Sequence, residues 1–382
     1  MRFLSMLFPI ILAVLVALSG SGMLSGYPMP PDNVAAEKYD RFSGVLTISF
    51  EKSLTEEFPG LHRWLTEITN LFEKHNRGIY LRLAEIPDGK LHTAVQGAQP
   101  ADIVLCRAGA LPKLSWRKPD VSRNFPAFGS DPLALPIAAG GYLLGFSGDP
   151  PTDLDLLPDG TIGWNDELSA PWIALCEQFS RISTQKRTVS PPDIGLIHTE
   201  TPQPSPQPDA GTRFSRHHLQ EGDTNELFEA FLSGDLRALP LTEIQAAKIC
   251  RMQEDGRCDN IPFLNSAAYT DRVVYAAIPV SGRSDADSRA AESARFLSFL
   301  TDEAAQTQLA RHGLFPVAPA GTDLPIPSGL NAIADALRRS DCVVQGADES
   351  AIRIDADAFL DGTIPARELM RTLRNGRMRT GR

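Results

Sequence analysis

The residue combinations that usually carry catalysis are missing from this 382-residue chain. It has no Gly-x-Ser-x-Gly elbow, no phosphate-cradling glycine loop ending in Lys-Ser/Thr, no His-Glu-x-x-His zinc helix and no paired Cys-x-x-Cys. Its seven histidines are scattered, and the adjacent pair His217-His218 lies in a polar stretch that reads as surface. Asp153, Asp155 and Asp159 could suggest calcium, but they lack the glycine and distal glutamate of an EF-hand loop. The five cysteines are Cys106, Cys176, Cys250, Cys258 and Cys342. Cys106 and Cys176 sit in apolar runs and read as buried small hydrophobes. Cys250 and Cys258 are close enough to close a short disulfide loop or to stay reduced, and both readings remain open. No metal-ligand spacing and no cofactor motif is expected, so the chemistry to look for is binding rather than catalysis.

Binding needs elements that place polar groups around a crevice. The chain is 42% hydrophobic with net charge −10, long enough for two lobes of roughly 150 residues each. The negative balance disfavours general nucleic-acid binding. Arg2 precedes an apolar segment that carries no charge until Asp32, and Ala17 and Ser19 suit the −3 and −1 positions of a cleavage site. Residues 1–26 are therefore expected to be either a cleaved signal peptide or an uncleaved membrane anchor, either of which exports the rest. Residues 27–43 read as a polar, proline-marked linker.

From Gly44 the pattern alternates. Val45–Phe50, Ile79–Ile86 and Ala101–Cys106 read as strands. The first two are separated by Leu61, Trp64, Leu65, Ile68, Leu71 and Phe72 at helical spacing, and Lys90–Gln96 is a short helix. The third strand is nearly all apolar, as expected for a parallel strand buried on both faces, and the strand-helix alternation predicts the start of a doubly wound α/β sheet. Pro132–Ser147 is extended and apolar around Gly140-Gly141. Thr188–Gly211 holds six prolines among serines and threonines and reads as a loop. Thr242 is a plausible helix cap before Glu243, and Arg272–Val280 is a strong strand. The arginine-rich end, Arg367 to Arg382, reads as a solvated helix terminus.

Ala294–Val317, ARFLSFLTDEAAQTQLARHGLFPV, predicts an apolar-striped helix on Phe296, Leu297, Phe299 and Leu300, with Ala290 and Ala294 behind. A cap at Thr301 then opens a second helix with Asp302 and Glu303 in its first turn, stopped at Gly313 and Pro316. This wording resembles the "Fl.fL.s.eaQ..la..G.fPv" segment of the extracellular solute-binding proteins that serve ABC importers. TIGWNDEL at Thr161–Leu168 is similar to that family's "TW.EL" segment, through Trp164 and Glu167-Leu168. Asn225–Ala238 resembles its "aF..GkaAm" segment, through Phe231, Gly234 and Ala238. The resemblance covers about Gly44 to Val317 in pieces.

The resemblance implies a two-lobed type 2 periplasmic-binding-protein-like α/β fold with hinge crossover strands. Lobe 1 would comprise 44–137 and 270–315, and lobe 2 would comprise 138–269 and 316–382, with the proline-rich insertion at 188–211. Gly140 and Gly141 would form the hinge. In open α/β sheets, ligands sit outside the carboxyl ends of strands. By that position Glu51, Ser53, Arg107, Tyr142, Thr242 and Glu243 are candidate ligand contacts. Trp116, in the loop after the third strand, is a candidate sugar-stacking ring, as in sugar-binding relatives. The implied function is capture of a small solute, carbohydrate by default, and delivery to an ABC permease from an extracytoplasmic position. No lipobox cysteine precedes Cys106. Three alternatives stand beside this reading: a membrane-tethered sensory or regulatory binding protein of the same fold, an exported enzyme on the scaffold, and a protein-interaction module that has lost solute binding.

Overall fold

A computed structural model describes residues 42–107, 109–118, 133–151, 153–176, 214–258, 261–266, 269–317, 330, 333, 343–344 and 356–371. The expectations for 1–26 and for the proline-rich 188–211 lie outside these residues. Among the described residues no helix is long and apolar enough to cross a membrane.

The first sheet starts with β1 (Gly44–Glu51) and β2 (Ile79–Ile86), which run parallel. β3 (Ile103–Arg107) adds parallel to the other side of β1. In β1, Leu46, Ile48 and Phe50 and also Thr47 and Ser49 are buried. A strand covered on both faces has no solvent side, so Thr47 and Ser49 are taken into the core with the apolar residues they alternate with. The next strand in space is distant in sequence: β12 (Val273–Pro279), buried at every position, pairs antiparallel with β3. Its other edge takes β5 (Ala134–Ala139), again antiparallel. The two-residue β4 (Trp116–Arg117) pairs with the last residues of β12.

The second sheet repeats that arrangement. β7 (Ile162–Trp164) lies parallel between β8 (Leu219–Glu221) and β9 (Ala238–Thr242). Beyond β9 comes β6 (Tyr142–Phe146), antiparallel, and then β10 (Phe263–Ser266), antiparallel to β6. Each sheet thus has three parallel strands and one reversed strand, beyond which the first direction is restored by β5 and the short β4 in the first sheet and by β10 in the second. The reversed strand of each sheet arrives directly from the other: β6 follows β5 after Gly140-Gly141, and β12 follows the second sheet's residues. This reciprocal exchange is the topology of a two-lobed type 2 periplasmic-binding-protein-like α/β fold. A short strand pair, β11 (Tyr269–Thr270) with β13 (Val343–Val344), lies at the crossing.

Helices cover the sheets. α1 (Lys52–Glu57) follows β1 directly, and α2 (Leu61–His75) buries Leu61, Trp64, Leu65, Ile68 and Phe72. Full burial of each such side chain contributes about 1.5–3 kcal/mol. α3 (Leu91–Gln96) joins β2 to β3. In the second lobe a helix over 169–176, here α4, packs Trp172 edge-on against Phe214 at a centroid distance of 5.1 Å. α5 (Thr224–Ser233) has a reciprocal capping box between Asp223 and Glu226, and it stops where Gly234 adopts φ 88°, a left-handed turn that suits glycine. α6 (Glu243–Glu254) is capped by Thr242, whose hydroxyl accepts from the Gln245 N–H.

α7 (Ala286–Leu300) and α8 (Glu303–Arg311) form the expected helix pair. The junction differs by one residue: Thr301 is the C-cap of α7, its hydroxyl donating back to the Ser298 carbonyl, and Asp302 is the N-cap of α8. A threonine at a helix end can satisfy either neighbour, and here the preceding carbonyl is nearer. Gln306 explains a conspicuous letter of the segment. Its buried amide donates to the Ile137 and Leu300 carbonyls at 3.1 and 2.8 Å and accepts from the Val317 N–H at 2.8 Å. It ties α8 to β5 and to the chain returning at Phe315, which bridges Ala139.

Candidate functional site

The carboxyl ends of β1, β3, β7 and β9 and the two crossing segments converge on one cleft of about 340 Å³. From the first lobe Ser53, Glu56 and Glu57 of α1 and Arg107 at the end of β3 face it. From the second lobe come Asp166 to Ala170 at the start of α4, Thr224 at the start of α5 and the Thr242 cap. Tyr142, Tyr269, Asp271 and Arg272 of the crossing segments form its floor.

An ionic network lies under that floor. Arg272 donates through Nε and Nη2 to the two carboxylate oxygens of Glu243, both at 2.8 Å. Its Nη1 donates to Glu57 Oε1 at 3.1 Å, and Nη2 also reaches the Glu57 carbonyl. The guanidinium lies 4.8 Å above the Phe58 ring centroid. Arg107 pairs with the other oxygen of Glu57, which accepts no hydrogen bond. One arginine therefore links a first-lobe helix, a second-lobe helix and the crossing strand. Burial pushes the Glu57 carboxyl above its ordinary range, opposed by Arg272 and Arg107. Burial likewise raises Asp271, although it accepts a hydrogen bond from the Tyr142 hydroxyl at 2.8 Å. The same burial, with Asp271 alongside, raises the Tyr142 hydroxyl well above its usual range and keeps it a donor.

Four sequence candidates, Ser53, Arg107, Tyr142 and Thr242, meet in this cleft. Three do not line it. Glu51 turns away to accept from the Gly89 N–H at 2.7 Å, closing the loop after β2. Glu243 is fully buried behind the cleft, where its carboxylate is held by Arg272 and the Gly141 N–H. Trp116 is also buried, with its indole donating to the Pro112 carbonyl at 3.0 Å. Its strand pairs with Pro279, at the end of β12 remote from the cleft. The loop after β3 descends the length of the sheet, which spacing alone does not reveal.

Gly140 and Gly141 sit where the chain crosses between the sheets, and neither has positive φ. Their small size serves close approach. A Cβ on Gly140 would fall 2.5 Å from the Glu243 carboxylate, and one on Gly141 would fall 2.9 Å from Ile333. Cys250 and Cys258 are thiols in the structure rather than the disulfide that spacing allowed. Cys250 belongs to α6, and Cys258 follows a tight turn that aims its sulfur at the Ile249 carbonyl.

The sequence reading missed Glu57, Asp166, Glu167, Asp271 and Arg272. A signal was present for the last two: a charged pair at the mouth of an apolar crossing strand must lie between the sheets. Elsewhere, Asp159, His217 and His218 bring possible ligand atoms within 4.8 Å of one another. His218 Nδ1 accepts from the Ser215 N–H at 3.2 Å, which places the ring proton on Nε2 and leaves that nitrogen no lone pair for a metal.

No family model matches the chain, and no curated protein matches it in sequence. Solved structures do resemble it in shape. The GacH receptor of Streptomyces glaucescens, studied unliganded and with acarbose, is 12% identical with a TM-score of 0.48, over 88% of this chain and 98% of that one. The maltose/maltodextrin-binding domain MalE of Bdellovibrio bacteriovorus, bound to maltotriose, is 13% identical with a TM-score of 0.48, over 88% and 100%. Iron-bound HitA of Pseudomonas aeruginosa is 16% identical with a TM-score of 0.45, over 86% and 99%. The fold assignment rests on the chain's own strand pairing.

Proposed function

We propose that this chain is an extracytoplasmic solute-binding protein that captures a small polar solute between its lobes and delivers it to an ABC permease. The observation that carries this reading is the cleft at the carboxyl ends of both sheets, lined from both lobes and floored by the segments that cross between them. Two lobes joined at crossing segments can close over a ligand, and a ligand that contacts both shifts the population toward the closed form. Among the lining acids Glu57 is tied to Arg272 and Arg107, Asp271 to Tyr142 and Glu167 to Thr224, in ways that suit recognition.

Carbohydrate is the solute class that the resemblance implies. Carboxylates such as Glu56 and Glu167 accept hydrogen bonds from hydroxyls, which suits it. The test is thermal unfolding of the purified protein, stripped of ligand by unfolding and refolding, against sugars, amino acids, amines and metal ions. A solute at about 100 times its dissociation constant stabilises by roughly 2.7 kcal/mol. X-ray scattering with and without that solute should show compaction. Absence of stabilisation by every class, in a cooperatively folding sample, would replace this reading with the interaction-module alternative.

A further inference from the structure

The cleft is unbalanced in charge, and the imbalance is shared by both lobes. Glu56 and Glu57 approach from the first lobe, Asp166 and Glu167 from the second, and Asp271 from the crossing. The cations among the lining residues are Arg107 and Arg272. Arg272 is already bound by both oxygens of the buried Glu243, and Arg107 by Glu57. Lys52 pairs in turn with Glu56 at 3.1 Å, so three cations stand against six carboxylates when Glu243 is included. Closing the lobes would bring Glu56 toward Asp166 and Glu167, and like charges in a narrowing, water-poor cleft oppose closure unless a counter-charge lies between them.

The rings in the cleft point the same way. Tyr142 and Tyr269 line it, yet both are almost fully buried, with relative exposures of 5% and 2%. Neither offers an open face on which a pyranose could stack, and Trp116 lies at the far end of the sheet. What the cleft presents is acceptors, the carboxylate oxygens of both lobes. Ammonium and guanidinium groups supply donors and positive charge together, and charge-assisted hydrogen bonds to carboxylates are the stronger kind.

We infer that the cleft selects a small hydrophilic organic cation, carrying ammonium or guanidinium groups, over a neutral sugar or an anion. This rests on the reading of the cleft as a solute site and sharpens only the class of solute. Glu56 on one rim and Asp166 and Glu167 on the other are the specificity-determining residues. Asp271, held by the Tyr142 hydroxyl, receives the deepest donor.

The test is isothermal titration of the purified protein with spermidine and L-arginine as cations, maltose as the neutral probe and sulfate as the anion, at low and high salt. Saturable binding of a cation, weakening as salt rises, is expected because rim charges are screened. Glu167→Gln keeps the acceptor for Thr224 and should weaken cation binding about tenfold, the change that 1.4 kcal/mol produces. Asp166→Asn should act in the same direction, and Glu303→Gln on the outer helix α8 should leave binding unchanged. Binding of maltose without either cation would overturn the cation inference and leave solute capture standing. Cation binding indifferent to both rim substitutions would overturn its assignment to this cleft. Binding of none of the four probes would overturn the inference and count against solute capture itself.

Discussion

Arg272→Met should be among the most damaging single substitutions in the protein. Arg272 and Glu243 have side-chain exposures of 7% and 0%. The arginine supplies two 2.8 Å hydrogen bonds to that carboxylate and a third contact to Glu57 at 3.1 Å. Methionine fills much of the space but leaves Glu243 charged, buried and held chiefly by the Gly141 N–H at 3.1 Å. Breaking a buried pair from one side costs about 3–5 kcal/mol, whereas removing both charges is often close to neutral. Arg272→Met alone should therefore lose about 3–5 kcal/mol. The double variant Arg272→Met/Glu243→Gln, which keeps an acceptor for Gly141, should recover most of that loss. The assay is urea unfolding followed by tryptophan fluorescence, with midpoint and slope fitted for each corner of the cycle. A loss below about 1 kcal/mol for the single variant, or a double variant no better than the single, would refute the account of a buried ionic latch at the crossing.

Three further outcomes follow from the same geometry. Gly140→Ala drives a Cβ to within 2.5 Å of a carboxylate that Arg272 holds in place, so the melting temperature should fall by the equivalent of about 1–3 kcal/mol; an unchanged melting temperature would mean that Glu243 can yield. Gln306→Leu strands the Ile137 and Leu300 carbonyls and the Val317 N–H, each worth about 1–3 kcal/mol when left buried and unpaired, and hydrogen exchange at Val317 should quicken. Glu57→Gln should flatten stability against pH. The folded Glu57 carboxyl is raised, so its contribution is fully present below its ordinary value of 4.5 and is lost as pH rises through the higher folded value. Urea midpoints measured across that window check this, and an unaltered slope would assign the pH dependence to Asp271 or other groups.

Much of the element order is legible in the chain because it depends on local patterns. A strand buried on both faces reads as a continuous apolar run, as in Ile103–Cys106 and throughout Val273–Pro279. A helix covering a sheet must carry its apolar stripe at a period of about 3.6, as Leu61 to Phe72 do. Capping is equally local, which is why Thr242 and Gly313 are recognisable before any tertiary contact is known.

Position at a strand's carboxyl end also placed Ser53, Arg107 and Thr242 toward the cleft, and position beside Gly140-Gly141 placed Tyr142 there. That rule locates a backbone, and it does not say where a side chain turns. Glu51 leaves the cleft for a nearby loop N–H, and Glu243 sinks beneath it because Arg272 waits there. The sequence by itself determined the strand-helix alternation, the caps and the acidic balance, all set by near neighbours. Only the tertiary structure decided which charges share one space. β12 inserts between β3 and β5 although it is far from β3 in sequence, and that pairing brings Asp271 and Arg272 to Glu57 and Glu243. Such long-range pairing is selected by burial across the whole sheet, so no local pattern records it.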